Sequence, residues 1–176
     1  MQPRGTLHAD GDFATLTFQR TYPHVLEDVW EAIATPQGLQ GWLMCTLANI
    51  EGRLGGRIET ISGPAGYYSV GEILAWEPPR IFEYEWNVAP TPEMPRGENA
   101  IFRYELTPDG LTTHLFVTYS KITRQTARGF LPGTHAFLDR LEAQLDKASL
   151  PHWASTFDGL SVLYPEWTGH APHSGK

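Results

Sequence analysis

Between residues 82 and 119 the chain repeats one pattern three times. Phe82, Tyr84 and Trp86 alternate with Glu83 and Glu85, Phe102, Tyr104 and Leu106 alternate with Arg103 and Glu105, and Leu115, Val117 and Tyr119 keep the same period. Side chains of a strand point alternately to its two faces. A period of two therefore describes antiparallel strands with an aromatic face in a core and a charged face in water. Thr107-Pro108-Asp109-Gly110 is a turn sequence that folds the second of these strands onto the third. On the wet face Glu83, Glu85, Arg103 and Glu105 are read as cross-strand charge pairs rather than as acid–base machinery.

So much ring area on one face has to be covered. Thr134, Leu138, Leu141, Leu145 and Ala148 recur at steps of four and three, with Asp139, Arg140, Glu142, Asp146 and Lys147 opposite them. That is a long amphipathic helix, ended before Pro151. Trp153, Phe157, Leu160 and Leu163 fit a further short helical segment. Earlier in the chain, Leu16 and Phe18 between threonines read as a first strand. Leu26, Val29, Trp30 and Ile33 after Pro23 form one short helix, and Leu39, Trp42 and Leu43 after Thr35-Pro36 form a second. From Leu47 strands return, broken by turns at Gly52, Gly55-Gly56 and Gly63-Pro64-Ala65-Gly66. The order of one strand, two short helices, an antiparallel meander and a final long helix is an α+β fold in which the helix covers the sheet's aromatic face.

The chain of 176 residues has 41% apolar and 12% aromatic residues, enough for one sizeable core. A net charge of −7, with no run of like charge, argues against nucleic acid as a partner. The one cysteine, Cys45, has no partner for an intramolecular disulfide, and the first residues lack the apolar stretch of a signal or anchor. These features indicate a cytoplasmic protein without membrane insertion. The glycines of Gly52-Arg53-Leu54-Gly55-Gly56 lack the lysine and the strand-to-helix setting of a phosphate loop, and no G-x-S-x-G occurs. His170 and His173 lack further ligands at metal-site spacing, so neither a metal nor a cofactor is expected.

Four segments carry a resemblance: Val25-Leu26-Glu27-Asp28-Val29-Trp30-Glu31-Ala32-Ile33, Gly55-Gly56-Arg57-Ile58, Val70-Gly71-Glu72-Ile73-Leu74-Ala75-Trp76-Glu77-Pro78-Pro79-Arg80 and His135-Ala136-Phe137-Leu138-Asp139-Arg140-Leu141. Together they resemble the SRPBCC (START and birch-pollen-allergen-like) superfamily, in its group named for homology to the activator of the heat-shock-protein-ninety ATPase. The resemblance implies a helix-grip fold over residues 12–164 as one domain, with 165–176 as a tail. It also implies a hydrophobic cavity between sheet and last helix. The chain departs from many such relatives in having Thr134 where they carry a tryptophan, and Tyr119 where they carry a histidine.

On this reading a small hydrophobic or aromatic ligand sits in the cavity against Trp42, Phe82, Tyr84, Trp86, Tyr104, Tyr119 and Leu138, oriented by the tyrosine hydroxyls. His135, at the start of the last helix, either approaches those tyrosines as a ligand contact or proton carrier, or is a partly exposed helix-start histidine. The proline-bearing connection from Asn87 to Ala100 is expected at the cavity mouth. Two alternatives stay open: a cyclase, dehydratase or hydrolase using the same cavity, and a chaperone-related interaction domain. The C-terminal Trp153, Phe157, Leu160, Leu163, Tyr164 and Trp167 either pack back on the domain or form a homodimer contact.

Overall fold

A computed structural model describes residues 2–169. Its strands are β1 (Thr6–Asp10), β2 (Phe13–Tyr22), β3 (Leu47–Ile50), β4 (Arg57–Ser62), β5 (Tyr67–Glu77), β6 (Ile81–Val88), β7 (Glu98–Asp109) and β8 (Thr112–Thr123). They form one antiparallel sheet in the order β1-β2-β8-β7-β6-β5-β4-β3. Helices α1 (Leu26–Ala34) and α2 (Pro36–Trp42) follow β2, α3 (Arg124–Leu145) follows β8, and α4 (Trp153–Leu160) runs into a 3-10 turn at Ser161–Leu163. The helix-grip α+β fold is therefore present, and no described helix is long and apolar enough to cross a membrane.

The alternation read from the sequence sets the faces. Phe82, Tyr84, Trp86, Phe102, Tyr104 and Tyr119 are all buried beneath the helices, Phe82 against Trp30 of α1, Tyr104 against Trp42 of α2 and Trp86 against Phe130 of α3. On the opposite face Arg103 Nη1 lies 3.1 Å from Glu83 Oε2, and its Nε lies 3.4 Å from Glu105 Oε2. Such solvent-facing pairs contribute little to stability.

Two expectations need correction. The fold begins with two strands, not one. β1 hairpins onto β2 through Gly11-Asp12, with Gly11 at φ +61°, where a glycine carries no steric penalty. β1 is an edge strand exposed along most of its length, so it lacks the apolar alternation that would announce it. The last long helix begins at Arg124, ten residues before the apolar stepping starts, and holds Pro132 in its interior. From Ala127 to Leu138 it is buried on nearly every side, so no polar stripe marks that half.

Such a helix start, with Pro132, Gly129 and Gly133 close behind it, is weak by local propensity. No acidic residue lies in its first turn. Glu98 of β7, 2% exposed, supplies one from outside. Its Oε1 accepts the Thr123 N–H at 2.9 Å, and its Oε2 accepts the hydroxyls of Thr123 at 2.5 Å and Thr126 at 2.8 Å. The carboxylate satisfies donors at the helix start and complements the dipole there. Further along α3, Arg140 donates to the carbonyls of Gly41, Trp42 and Pro151, and Gln144 accepts the Trp42 N–H and donates to the Gly38 carbonyl. One helix thereby fixes the end of α2 and the chain leading to α4.

Glu98→Ala is expected to destabilise the fold by about 1–3 kcal/mol, because two threonine hydroxyls and an amide lose their buried acceptor. Denaturant unfolding of the variant checks this, and an unchanged midpoint would contradict the role given to Glu98.

Candidate functional site

Three neighbouring strands place Trp86, Phe102 and Tyr119 in a ladder of rings. The Phe102 and Tyr119 centroids are 3.8 Å apart with nearly parallel planes, and those of Trp86 and Phe102 are 5.0 Å apart. Opposite them α3 presents Phe130, Thr134 and Phe137, which share one helix face by their spacing. Between ladder and helix lies a cleft of about 70 Å³. Its rim is the β4–β5 turn, with Ser62, Gly63, Pro64 and Ala65 against it. Gly63 and Gly66 take positive φ there, and the Gly63 N–H holds the Leu43 carbonyl at 3.0 Å. Trp153 closes another side, its ring 5.4 Å from Phe137 and its Nε1 donating to the Gly133 carbonyl.

Of the residues singled out by sequence, Trp86, Phe102 and Tyr119 line this cleft. Phe82, Tyr84, Tyr104, Trp42 and Leu138 are buried in the core beyond it. The tyrosines do cluster: the Tyr104 and Tyr119 hydroxyls are 2.6 Å apart, and the Tyr84 hydroxyl acts on that of Tyr104. Burial raises the pKa of all three well above the ordinary phenol value, so they are neutral hydrogen-bonding groups. Trp42 stands edge-on to Tyr104, and its Nε1 donates to the Ala32 carbonyl, which ties α2 to α1.

His135 does not join this cluster, nor is it partly exposed. It sits within α3, 2% exposed, on a face turned toward β2 and the chain termini. Its Nδ1 is 2.6 Å from the Tyr164 hydroxyl, which accepts the Gly5 N–H at 2.8 Å and so directs its own proton to the imidazole. Its Nε2 is 3.7 Å from Asp139 Oδ1, the atom that also accepts Arg20 Nη1 at 2.9 Å. Arg20 is fully buried, and its Nε and Nη2 have no partner among the described residues. Burial first, then the Arg20 charge, lowers the His135 pKa to about 4, against the opposing pull of Asp139. This histidine is a neutral core residue that joins the two ends of the chain.

The expected mouth is also misplaced. β6 and β7 stay paired out to Val88 and Glu98, so the connection shortens to residues 89–97, and none of these lines the cleft. The C-terminal rings pack back on the chain: Trp153, Phe157 and Tyr164 are buried, and Trp167 stands edge-on to Phe157 at 5.7 Å. Of the expected tail, residues 170–176, with His170 and His173, lie outside the described residues. Sequence reading missed Phe130 and Phe137 because Pro132 and two glycines interrupt the helical pattern around them. The rim turn had its glycines as a signal but nothing to place it.

The sequence profile of the family described as activator of Hsp90 ATPase homolog 1-like protein matches residues 23–146. No curated protein matches the chain. Among solved structures, protein MLL2253 from Mesorhizobium loti is 28% identical, with a TM-score of 0.67 over 77% of this chain and 99% of that one. A protein from Bordetella parapertussis is 22% identical, with a TM-score of 0.65 over 98% of each chain. CalU16 from Micromonospora echinospora is 18% identical, with a TM-score of 0.66 over 92% of each. The last two, at their identity, speak for the fold alone.

The buried histidine makes stability pH-dependent with a definite sign. In the unfolded chain His135 takes up a proton near pH 6.5, and in the fold only near pH 4. Its contribution is therefore complete above about pH 6.5 and lost as pH falls toward 4. Between pH 7 and 5 the loss should be about 1–2 kcal/mol. His135→Gln should flatten that part of the stability profile in thermal melts, and an unchanged slope would contradict the assignment.

Proposed function

The chain belongs to the activator of Hsp90 ATPase homolog 1-like family, and from that premise we propose that it binds a small apolar or aromatic molecule in the cleft between the sheet and α3. The observation that carries this reading is the apolar gap that the ring ladder of Trp86, Phe102 and Tyr119 borders beside Thr134 and the β4–β5 turn, left open although Phe130 meets Trp86 edge-on at 5.6 Å. Both positions at which the chain departs from many relatives, Thr134 and Tyr119, line that gap. A threonine there leaves volume that a tryptophan would occupy.

Size sets the affinity to expect. Pockets that enclose a drug-sized ligand run to several hundred Å³. A cleft of about 70 Å³ takes part of one ring or the end of a longer ligand. Burying roughly 120–150 Å² of apolar surface is worth about 3–4 kcal/mol, which is millimolar binding for a single-ring probe. An acid–base reaction in the same cleft would need a proton carrier, and His135, the residue best suited to that work, is held by Tyr164 on another face of α3.

Toluene titrated into labelled protein is expected to shift the Trp86 indole and Thr134 signals saturably in NMR spectra. Thr134→Trp should fill the cleft and abolish those shifts while leaving a cooperative thermal melt. Binding by the variant equal to that of the original chain would sink the proposal.

A further inference from the structure

The polar groups around the cleft are not equally occupied. The Tyr119 hydroxyl is engaged by Tyr104, and Trp153 Nε1 donates to the Gly133 carbonyl. Ser62 and Thr134 differ: 7% and 4% exposed, they line the cleft, and neither hydroxyl has a hydrogen-bond partner among the described residues. Local alternatives exist and are used elsewhere in the molecule. Thr60, two positions before Ser62 on the same inward face of β4, pairs with Ser69 at 2.9 Å. Thr156 donates to the carbonyl one helical turn back at 2.8 Å, the usual recourse of a helical threonine, which Thr134 does not take. Both hydroxyl oxygens stay open to the cleft rather than sealed in the core, and the two, from opposite walls, border one apolar space in which a ligand's polar atom would find them.

Charge narrows the occupant further. No residue lining the cleft is acidic, basic or histidine. An ionised group placed there would give up its hydration without a counter-ion, which is far more costly than leaving a hydroxyl unpaired.

We propose that the cleft selects an uncharged ligand, an apolar ring or chain end carrying one hydroxyl or carbonyl, and that Ser62 and Thr134 are the residues that read this group. The inference rests on the cleft being a ligand site. Because each hydroxyl both donates and accepts, either polar group is served. Specificity comes from the mismatch: a ligand without a polar atom leaves two hydroxyls unpaired, and a carboxylate brings a charge that nothing neutralises.

Three single-ring probes test this by NMR titration of the full chain: 4-methylphenol, toluene and 4-methylbenzoate. The expected order is 4-methylphenol tighter than toluene by about fivefold or more, from one gained hydrogen bond, with 4-methylbenzoate weakest. In a Ser62→Ala, Thr134→Val double variant, which removes both hydroxyls while keeping the branched shape at position 134, 4-methylphenol should fall to the affinity of toluene while toluene still binds. Equal binding of 4-methylphenol and toluene by the original chain, or a preference that survives the double substitution, overturns the inference and leaves the cleft as a ligand site. If none of the probes binds, the cleft reading fails and the inference with it.

Discussion

The rings that project from β6, β7 and β8 toward one side must be kept from water; Trp30 of α1 meets Phe82 and Trp42 of α2 meets Tyr104, while the long cover, over Trp86, Phe102 and Tyr119, is α3. Phe82, Tyr84, Trp86, Phe102, Tyr104 and Tyr119 are all buried there, and aromatic side chains dominate core energetics. The remaining architecture follows from holding that helix in place. Glu98 anchors its start, Arg140 and Gln144 tie its second half to α2 and to the approach to α4, and Tyr164 grips its middle through His135. A helix that begins weakly by its own sequence is made secure by Glu98 and Tyr164 from elsewhere in the chain and by the reach of its own Arg140 and Gln144.

The same helix separates two environments. Toward β6–β8 and the β4–β5 turn it leaves an apolar gap beside Thr134, and toward β2 it holds a buried histidine and a buried arginine against the partly exposed Asp139. The two are neighbours in sequence, since Thr134 and His135 are adjacent, yet they face different partners. Ligand binding and the pH response of the fold are for this reason expected to be independent of each other. Protonation of His135 is expected to weaken its contact with Tyr164, over whose ring Arg4 lies, without placing a charge in the cleft.

Much of this was legible in the residues. The alternation of rings and charges fixed the faces of β6 and β7, because a period of two leaves no choice of face once one side is apolar. The Thr35 cap marked α2, where its hydroxyl accepts the Gly38 N–H at 3.0 Å. What escaped did so for physical reasons. Edge strand β1 has no buried face to impose a pattern, and the first half of α3 is buried all round, so it carries no amphipathic stripe and even tolerates Pro132. The site was legible only in part. Trp86 and Tyr119 belong to strands whose faces are periodic, whereas Ser62 and the rim turn come to the cleft through tertiary contacts that local sequence does not encode. His135 was misplaced because its partner, Tyr164, lies 29 residues further on, beyond any local pattern.

The central claim is that a small apolar molecule enters between α3 and the ring ladder, and intermolecular NOEs from bound toluene locate it directly. The account predicts cross-peaks to the Thr134 methyl and to the rings of Trp86 and Phe137. Cross-peaks confined to another part of the surface, such as the Trp30 and Trp76 pair beside α1, would contradict it.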